Sequence, residues 1–201
     1  MSAFRAVVSS LAIVLFASLP AMEAAGQAAE ELKTLKVGDT AKDVEFQPLE
    51  GDKVKLSVLT KDGPVVLVVL RGFPGYQCPI CSRQVADLRR HAQEFKELRA
   101  RVVLVYPGPA ADLKNRAEEF LRGTKLPEPL MLVIDPDYKF TNLYALRWDA
   151  PRETAYPSTF VLDQMRVVKF RKVSQSHGDR AKTEDVLKAL REMQGAVSSA
   201  G

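Results

Sequence analysis

Hydrophobic and polar positions along this chain change spacing several times, and each change marks a predicted element. Apolar runs at 65–70, 101–106 and 130–134 lack alternation, which is typical of strands buried on both faces of a parallel sheet. Apolar residues at three- and four-residue intervals instead predict helices over 79–99 and 110–122. Strands and helices therefore alternate through the middle of the chain.

Shorter patterns complete the predicted order. Residues 41–59 alternate around a Glu-Gly-Asp turn and predict a small hairpin, and a short helix is expected near 138–145. Two strands at 158–162 and 166–172 are joined by a tight turn, and an amphipathic helix follows them. This order predicts an α/β fold with a central mixed sheet, helices on both faces and a small N-terminal hairpin in front. The early strands are expected to be parallel and the last two antiparallel.

The N-terminus follows a different pattern. Arg5 gives a short positive start, residues 6–19 are apolar apart from serines, and small residues follow around 24–28. This pattern is typical of a removable export signal. The predicted segments are an export signal over 1–26, a linker over 27–35, one domain over 36–195 and a disordered tail over 196–201.

Export determines where the protein is expected to work. The mature protein is predicted to be periplasmic or secreted, and an uncleaved signal that anchors it in the membrane is the alternative. Membrane contact is expected only through such an anchor. An oxidising compartment also closes a pair of neighbouring cysteines unless a reductant keeps it open.

Charge argues against one class of partner. The chain carries 29 Lys and Arg against 25 Asp and Glu, and the predicted signal contains one of each sign, so the net charge stays at +4 without it. Acidic and basic residues are interspersed on the predicted helix 79–99. This is typical of a solvated helix surface, and no nucleic acid is expected as a partner.

Two cysteines, Cys78 and Cys81, carry the candidate chemistry. They lie where the strand 65–70 leads into a helix, and the free N–H groups and dipole at a helix N-terminus favour a thiolate. The thiolate is the reactive form of cysteine. Cys78 comes first and is the predicted attacking thiol, expected to be exposed. Cys81 lies on the inward stripe of the helix and is the predicted buried, resolving thiol. Phe73 and Tyr76 in the approach loop are the predicted substrate-binding residues.

Several short segments resemble one family. They are Val-Gly-Asp at 37–39, Pro-Val-Val-Leu at 64–67, Cys-Pro at 78–79 and Tyr-Pro-Ser-Thr-Phe-Val-Leu-Asp at 156–163. The chain resembles the thioredoxin superfamily over about 36–195, and within it the peroxiredoxin-like alkyl hydroperoxide reductase and thiol-specific antioxidant (AhpC/TSA) family. The resemblance implies a thioredoxin-like fold and an antioxidant thiol oxidoreductase without a cofactor. It also implies a hydroperoxide substrate and an external reductant, which is a thioredoxin-like protein or a small thiol.

The cysteine motif departs from the family pattern. Peroxiredoxins carry a proline, then a threonine or serine four residues on, then the attacking cysteine three residues further. With Cys78 as that cysteine, Arg71 and Gly75 replace the proline and the hydroxyl residue. With Cys81, Pro74 fits and Cys78 replaces the hydroxyl residue. Both alignments stay open at this point.

The residue before the strand at 158–162 also departs from the family pattern. The family places an arginine just before the Ser/Thr-rich strand, where this chain has Pro157. Pro157 resembles the cis-proline of thioredoxins, which implies that it faces the cysteines and exposes the backbone of Tyr156 to substrate. A trans proline at a strand edge is the alternative. Arg71, Arg83 and Arg147 are candidates for the missing positive charge.

Two enzymatic functions follow from these features. One is reduction of hydroperoxides. The other is thiol-disulfide exchange with exported proteins, of the cytochrome maturation or disulfide repair type, which the Cys-x-x-Cys pair and Pro157 favour.

A non-enzymatic copper carrier or a structural disulfide forms a third class. Cys-x-x-Cys is also half of a zinc site, but the chain offers only two histidines as further nitrogen ligands. His91 lies about 15 Å from Cys81 along a continuous helix, and His177 lies in a polar stretch. No metal is therefore predicted.

Overall fold

The computed structural model describes residues 34–198. The predicted export signal, most of the linker and the last residues of the predicted tail lie outside this range. The strands are β1 Glu45–Pro48, β2 Val54–Lys55, β3 Val65–Val69, β4 Arg101–Gly108, β5 Leu130–Pro136, β6 Ser158–Leu162 and β7 Val168–Val173. The helices are α1 Leu56–Leu59, α2 Pro79–Arg90, α3 Ala92–Glu97, α4 Leu113–Leu121, α5 Lys139–Leu143 and α6 Thr183–Ser198.

A seven-stranded mixed sheet organises the fold, with the strand order β2-β1-β5-β4-β3-β6-β7. β3, β4 and β5 are parallel, whereas β6 is antiparallel to β3 and β7 is antiparallel to β6. The predicted thioredoxin-like α/β fold with parallel early strands and an antiparallel final pair is therefore confirmed. Two antiparallel steps also mean that β7 runs in the same direction as β3.

β3 is buried on both faces, as its unbroken apolar run predicted. Val66, Val68 and Leu70 point into one core, and the residues between them point into the other. The first core is completed by side chains of α2, α3, α4 and α6, among them Val85, Phe95, Ala117 and Leu190. The second is completed mainly by α1, α5 and the N-terminal segment, among them Leu35, Leu56, Phe140 and Tyr144. Both sheet faces are thus covered by helices, as predicted.

Several element boundaries differ from the prediction. The helix expected over 79–99 is interrupted at His91, whose φ of −96° and ψ of 12° leave the helical range. β4 continues through Pro107 to Gly108, because both residues pair with β5. The second half of the hairpin shortens to two residues, since Leu56 begins α1. α6 extends to Ser198, three residues into the segment predicted to be a tail.

None of the helices within residues 34–198 combines the length and the apolar character that a bilayer span requires.

A close backbone approach starts the loop that leads from β3 to the cysteines. Gly72 has a φ of +71°, and a Cβ built on it would lie 1.9 Å from the carbonyl oxygen of Pro107. The N–H of Phe73 donates to the same oxygen at 3.4 Å. Only glycine accepts both the left-handed conformation and the contact. Gly72 therefore lets this loop run directly against the end of β4.

We predict that Gly72→Ala lowers the free energy of unfolding more than Gly75→Ala does. Both residues have positive φ, but a Cβ on Gly75 meets no atom within 4 Å. Gly75→Ala should cost about 1–2 kcal/mol from the left-handed backbone alone. Gly72→Ala should cost about 2 kcal/mol more, because the β4 backbone must move. Urea denaturation of the two variants measures the difference, and equal losses would contradict the proposed contact.

Candidate active site

Cys78 lies at the start of α2 and acts as its N-cap. Its backbone is extended, with φ of −76° and ψ of 110°, and Pro79 occupies the first helical position, where no N–H is needed. The N–H of Cys81 donates to the Cys78 sulfur across 3.3 Å. The sulfur therefore takes the place that a serine or aspartate oxygen usually fills at a helix N-terminus.

Both sulfurs are buried, in contrast to part of the prediction. Cys81 is 1% exposed, as its place on the inward stripe of the helix predicted, and Cys78 is 3% exposed. The prediction that Cys78 is exposed is therefore wrong. Both cysteines belong to the apolar core on this face of the sheet, and the loop between β7 and α6 also brings the Arg180 side chain against the pair. Both cysteines are free thiols in this structure.

Arg180 supplies the positive charge at the pair. Its Nη2 atom lies 3.4 Å from the Cys81 sulfur and 3.9 Å from the Cys78 sulfur. Its Nε donates to the carbonyl oxygen of His177 at 2.9 Å, and its Nη1 donates to Oε1 of Gln84. The guanidinium is thus held on three sides.

The three arginines predicted for this role lie elsewhere. The Arg71 side chain donates to Glu153 instead. Arg83 is exposed on α2. Arg147 stacks on the Tyr138 ring, 4.1 Å from its centroid.

The two thiols are driven to opposite ionisation states. Hydrogen bonding from the Cys81 thiol, together with the Cys81 N–H and the Arg180 charge, overcomes burial and lowers the pKa of Cys78 to about 5. The same shared proton, together with deep burial, raises the pKa of Cys81 well above its ordinary value. Cys78 is therefore a thiolate at neutral pH, and Cys81 keeps its proton. This asymmetry agrees with the predicted attacking and resolving roles.

A buried ion pair braces the approach loop. Arg71 is 2% exposed, and its Nε donates to Glu153 at 2.8 Å. Its other nitrogens donate to the Tyr76 hydroxyl and to the backbone oxygen of Arg152. His177 donates from Nε2 to the same Glu153 carboxylate at 3.0 Å. Although burial alone would raise it, these hydrogen bonds hold the pKa of Glu153 below its ordinary value.

The residue before Cys78 is fixed from the other side. The Tyr106 hydroxyl on β4 donates to Oε1 of Gln77 at 2.8 Å, and Nε2 of Gln77 donates to the backbone oxygen of Arg116 on α4 at 2.9 Å. The loop that carries Cys78 is therefore tied to two elements of the core. Gln77 and Tyr106 were not among the residues predicted from the sequence.

The predicted substrate-binding residues of the approach loop differ in placement. Phe73 lines a cavity of about 430 Å³ and packs under the Arg116 guanidinium, which lies 4.7 Å from the ring centroid. Tyr76 is 47% exposed, with its hydroxyl bonded to Arg71. Both flank the segment that leads to Cys78, and their contact with a substrate stays a prediction.

Pro157 and Tyr156 do not present a free backbone to a substrate. Within residues 34–198 the cis peptide bond is Glu128–Pro129, so the prediction of a cis Pro157 is wrong. The Tyr156 N–H donates to the Leu146 oxygen at 2.8 Å, and the Tyr156 oxygen accepts from the Ser158 hydroxyl at 2.8 Å. The predicted exposure of these groups is therefore also wrong, because neighbouring residues already satisfy them.

Pro157 still lies at the cysteine edge of the sheet. It directly precedes β6, and the β3–β6 register pairs Ser158 with Val69 at the end of β3. The chain leaves β3 for the cysteines from this same edge. A role for Pro157 in catalysis remains a prediction.

The two candidate nitrogen ligands for a metal are engaged elsewhere. Nδ1 of His91 donates to the Asp87 oxygen at 2.9 Å, and Nε2 of His177 donates to Glu153. Within the described residues no three His, Cys, Asp or Glu side chains are arranged to hold a metal ion.

The strand topology explains why Arg180 lies beside the cysteines. Because β7 runs parallel to β3, the segment after β7 returns to the edge of the sheet where β3 leads to the cysteines. A polar stretch before the last helix is therefore expected near the pair. The predicted antiparallel final pair was not sufficient for this inference, because the direction of β6 relative to β3 comes from the structure, and local motifs pointed to nearer arginines.

Comparison with known proteins places the chain in a family. The family model described as the AhpC/TSA family matches residues 37–171. A putative peroxiredoxin of Mycobacterium tuberculosis is 34% identical over 97 residues, which cover 48% of this chain and 58% of the relative. Peroxiredoxin Bcp of Bacillus subtilis is 28% identical over 111 residues, covering 55% and 64% of the two chains. The aligned region thus spans about six-tenths of the length of these curated relatives.

Two solved structures have folds similar to that of this chain. The crystal structure of peroxidoxin BcpB from Mycobacterium tuberculosis has a TM-score of 0.62 at 29% identity, covering 79% of this chain and 97% of that one. The mitochondrial 2-Cys peroxiredoxin from Plasmodium falciparum has a TM-score of 0.65 at 14% identity, covering 83% and 98%. At that identity the likeness shows the fold alone. The chain belongs to the AhpC/TSA family and has its peroxiredoxin-like thioredoxin fold.

We predict that Glu153→Ala lowers the free energy of unfolding by about 3 kcal/mol, because it leaves the buried Arg71 guanidinium without its carboxylate. Asp62→Ala is the control, since it breaks an ion pair with Arg101 that is exposed on both sides. That change should stay below about 1 kcal/mol. Urea denaturation measures the free energy of unfolding of both variants. Equal losses would contradict a stabilising role of the Arg71–Glu153 ion pair.

We also predict how the thiols titrate. Because the pKa of Cys78 is lowered to about 5, thiolate absorbance in the ultraviolet should be constant near neutral pH and fall as the pH drops through about 5. Arg180→Ala removes the cation and should raise the pH of this midpoint by about 1 pH unit. Arg83→Ala, which removes an exposed arginine from the same helix, should leave it unchanged. An unchanged midpoint in Arg180→Ala would refute the electrostatic role of Arg180.

Proposed function

We propose that this protein is a thiol peroxidase that cycles Cys78 and Cys81 between a dithiol and a disulfide. The observation that carries the proposal is the paired geometry at the start of α2. One sulfur is stabilised as a thiolate by the N–H and thiol of Cys81 and by Arg180, and a protonated thiol lies beside it. Membership of a family that contains peroxiredoxins supports the choice of a hydroperoxide as oxidant.

In the first step the Cys78 thiolate attacks one oxygen of the hydroperoxide. The O–O bond breaks, the remaining oxygen leaves with the electron pair and takes a proton from solvent, and an alcohol or water departs. Cys78 becomes a sulfenic acid. Arg180 lies where it can stabilise charge on the leaving oxygen, since its guanidinium contacts both sulfurs.

In the second step Cys81 attacks the oxidised sulfur of Cys78. The S–OH bond breaks, the hydroxide takes the Cys81 proton, and water leaves as the disulfide forms. Both cysteines lie within one helical turn, so the closing thiol is already in place. The sequence has two cysteines, and an external thiol must therefore supply the two electrons that reopen the bridge.

Burial favours a small oxidant over a protein disulfide. Cys78 is 3% exposed, and the Tyr156 backbone groups that could pair with a peptide are already bonded within the chain. Thiol-disulfide exchange with exported proteins is the second candidate, supported by the Cys-x-x-Cys pair at a helix N-terminus. Export itself is part of the proposal and rests on the signal-like residues 1–26.

We predict that hydrogen peroxide oxidises the reduced protein at least about 100-fold faster than it oxidises free cysteine at the same pH. Stopped-flow mixing, with a mixed-disulfide peptide as the competing oxidant, measures this rate. Cys78→Ser should abolish the fast reaction. Cys81→Ser should keep the first step and stop at the sulfenic acid.

Each contrary result has a distinct meaning. A peroxide rate equal to that of free cysteine would reject the peroxidase. In that case a fast reaction with the peptide would support disulfide exchange instead. A fast peroxide reaction that survives in Cys78→Ser but not in Cys81→Ser would reverse the assignment of the attacking thiol.

A further inference from the structure

Arg180 has no carboxylate as a partner among the described residues; its hydrogen bonds go to two neutral oxygens and to the sulfurs. Its Nη1 donates to Oε1 of Gln84, its Nε donates to the His177 carbonyl, and its Nη2 contacts the cysteines. The loop that carries Arg180 is partly exposed, so the loop alone does not fix the side chain. The contact with Gln84 ties it to the helix that carries both cysteines.

We propose that Gln84 is a positioning residue that holds the Arg180 guanidinium over the two sulfurs. Gln84 lies on α2 three residues after Cys81, so both side chains project from the same side of the helix. The helix therefore fixes the position of the Gln84 backbone relative to that of Cys81. The inference deepens the proposed function, since it assigns the residue that prepares the pair for reaction.

The chemistry of glutamine suits this task. Its amide oxygen accepts from Arg180 without adding negative charge beside a thiolate. A carboxylate at the same place would compete with the sulfurs for the guanidinium and would repel the Cys78 thiolate. A neutral acceptor leaves the full charge of Arg180 available to the sulfurs.

A neighbouring contact offers a matched control. The Thr183 hydroxyl at the start of α6 donates to Asp87 of α2, 96 residues apart in sequence. This bond also joins α2 to the segment that carries Arg180, but it does not touch the guanidinium. Thr183→Val therefore loosens the same junction and leaves the Gln84–Arg180 contact in place.

The test leaves the other ionisable groups beside the pair unchanged. The ionisable side chains with the largest effect on the pKa values of Cys78 and Cys81 are each other and Arg180 on the β7–α6 loop, and Tyr106 on β4 interacts with Cys81. A change at Gln84 can thus reach the sulfurs through Arg180.

The test is a double-mutant cycle read by ultraviolet thiolate absorbance against pH. Gln84→Ala should raise the midpoint of the first thiol ionisation by at least half of the rise that Arg180→Ala causes. The double variant should match Arg180→Ala alone, because Gln84 acts only through Arg180. Thr183→Val should lower the melting temperature and leave the midpoint unchanged. Gln84→Met, which keeps the side-chain length without the acceptor, replaces Gln84→Ala if truncation unfolds the protein.

Three results would overturn the proposal. The first is a midpoint in Gln84→Ala equal to that of the unaltered protein. The second is a double variant whose shift is the full sum of the Gln84→Ala and Arg180→Ala shifts. The third is a rise in the midpoint of Thr183→Val as large as that of Gln84→Ala. The titration needs neither peroxide nor reductant. A protein that fails as a peroxidase can therefore still show the Gln84 effect, and the two proposals fail separately.

Discussion

The hydrogen bond from the Cys81 N–H to the Cys78 sulfur joins the fold to the chemistry of this protein. It begins α2 and places negative charge where the helix dipole favours it. It also keeps the two sulfurs in neighbouring positions. The loop before Cys78 is held by Gly72 against β4 and by Gln77 against Tyr106, so the capping sulfur has one defined location.

Opposite ionisation of two adjacent thiols follows from this arrangement. A proton shared between the sulfurs belongs to Cys81, because Cys78 receives the backbone N–H and Cys81 is the more deeply buried. Arg180 then adds a charge from the opposite end of the chain. The family resemblance implies an arginine just before the strand β6, where this chain has Pro157 instead. Here the cation comes from the loop after β7, which topology brings to the same edge of the sheet.

Much of the fold could be predicted because its signals are local. The run Val65–Leu70 and the helical spacing after Cys81 both follow from burial of apolar side chains. The break at His91 and the extension of β4 through Pro107 depend on tertiary pairing, which the apolar pattern does not record. The predicted CxxC site at a helix N-terminus was correct in place. Cys78 lies in the apolar core, and its cationic neighbour Arg180 is 102 residues away in sequence, so local motifs indicated neither feature.

The prediction of a cis Pro157 beside a free Tyr156 backbone failed for a related reason. A proline before a strand matched a known pattern, but the isomer and the free backbone groups depend on what surrounds them. Here Leu146 and Ser158 already bond the Tyr156 backbone. A site of this kind suits a small oxidant that reaches a buried thiolate better than it suits an extended peptide.

The proposed cycle requires that a hydroperoxide oxidises Cys78 and Cys81 to a disulfide. Mass spectrometry of the reduced protein after one equivalent of hydrogen peroxide tests this directly. We expect loss of two hydrogens, no remaining free thiol and one peptide bridged between Cys78 and Cys81. A persistent gain of oxygen on Cys78 with Cys81 still free, or a disulfide between two chains, would contradict it.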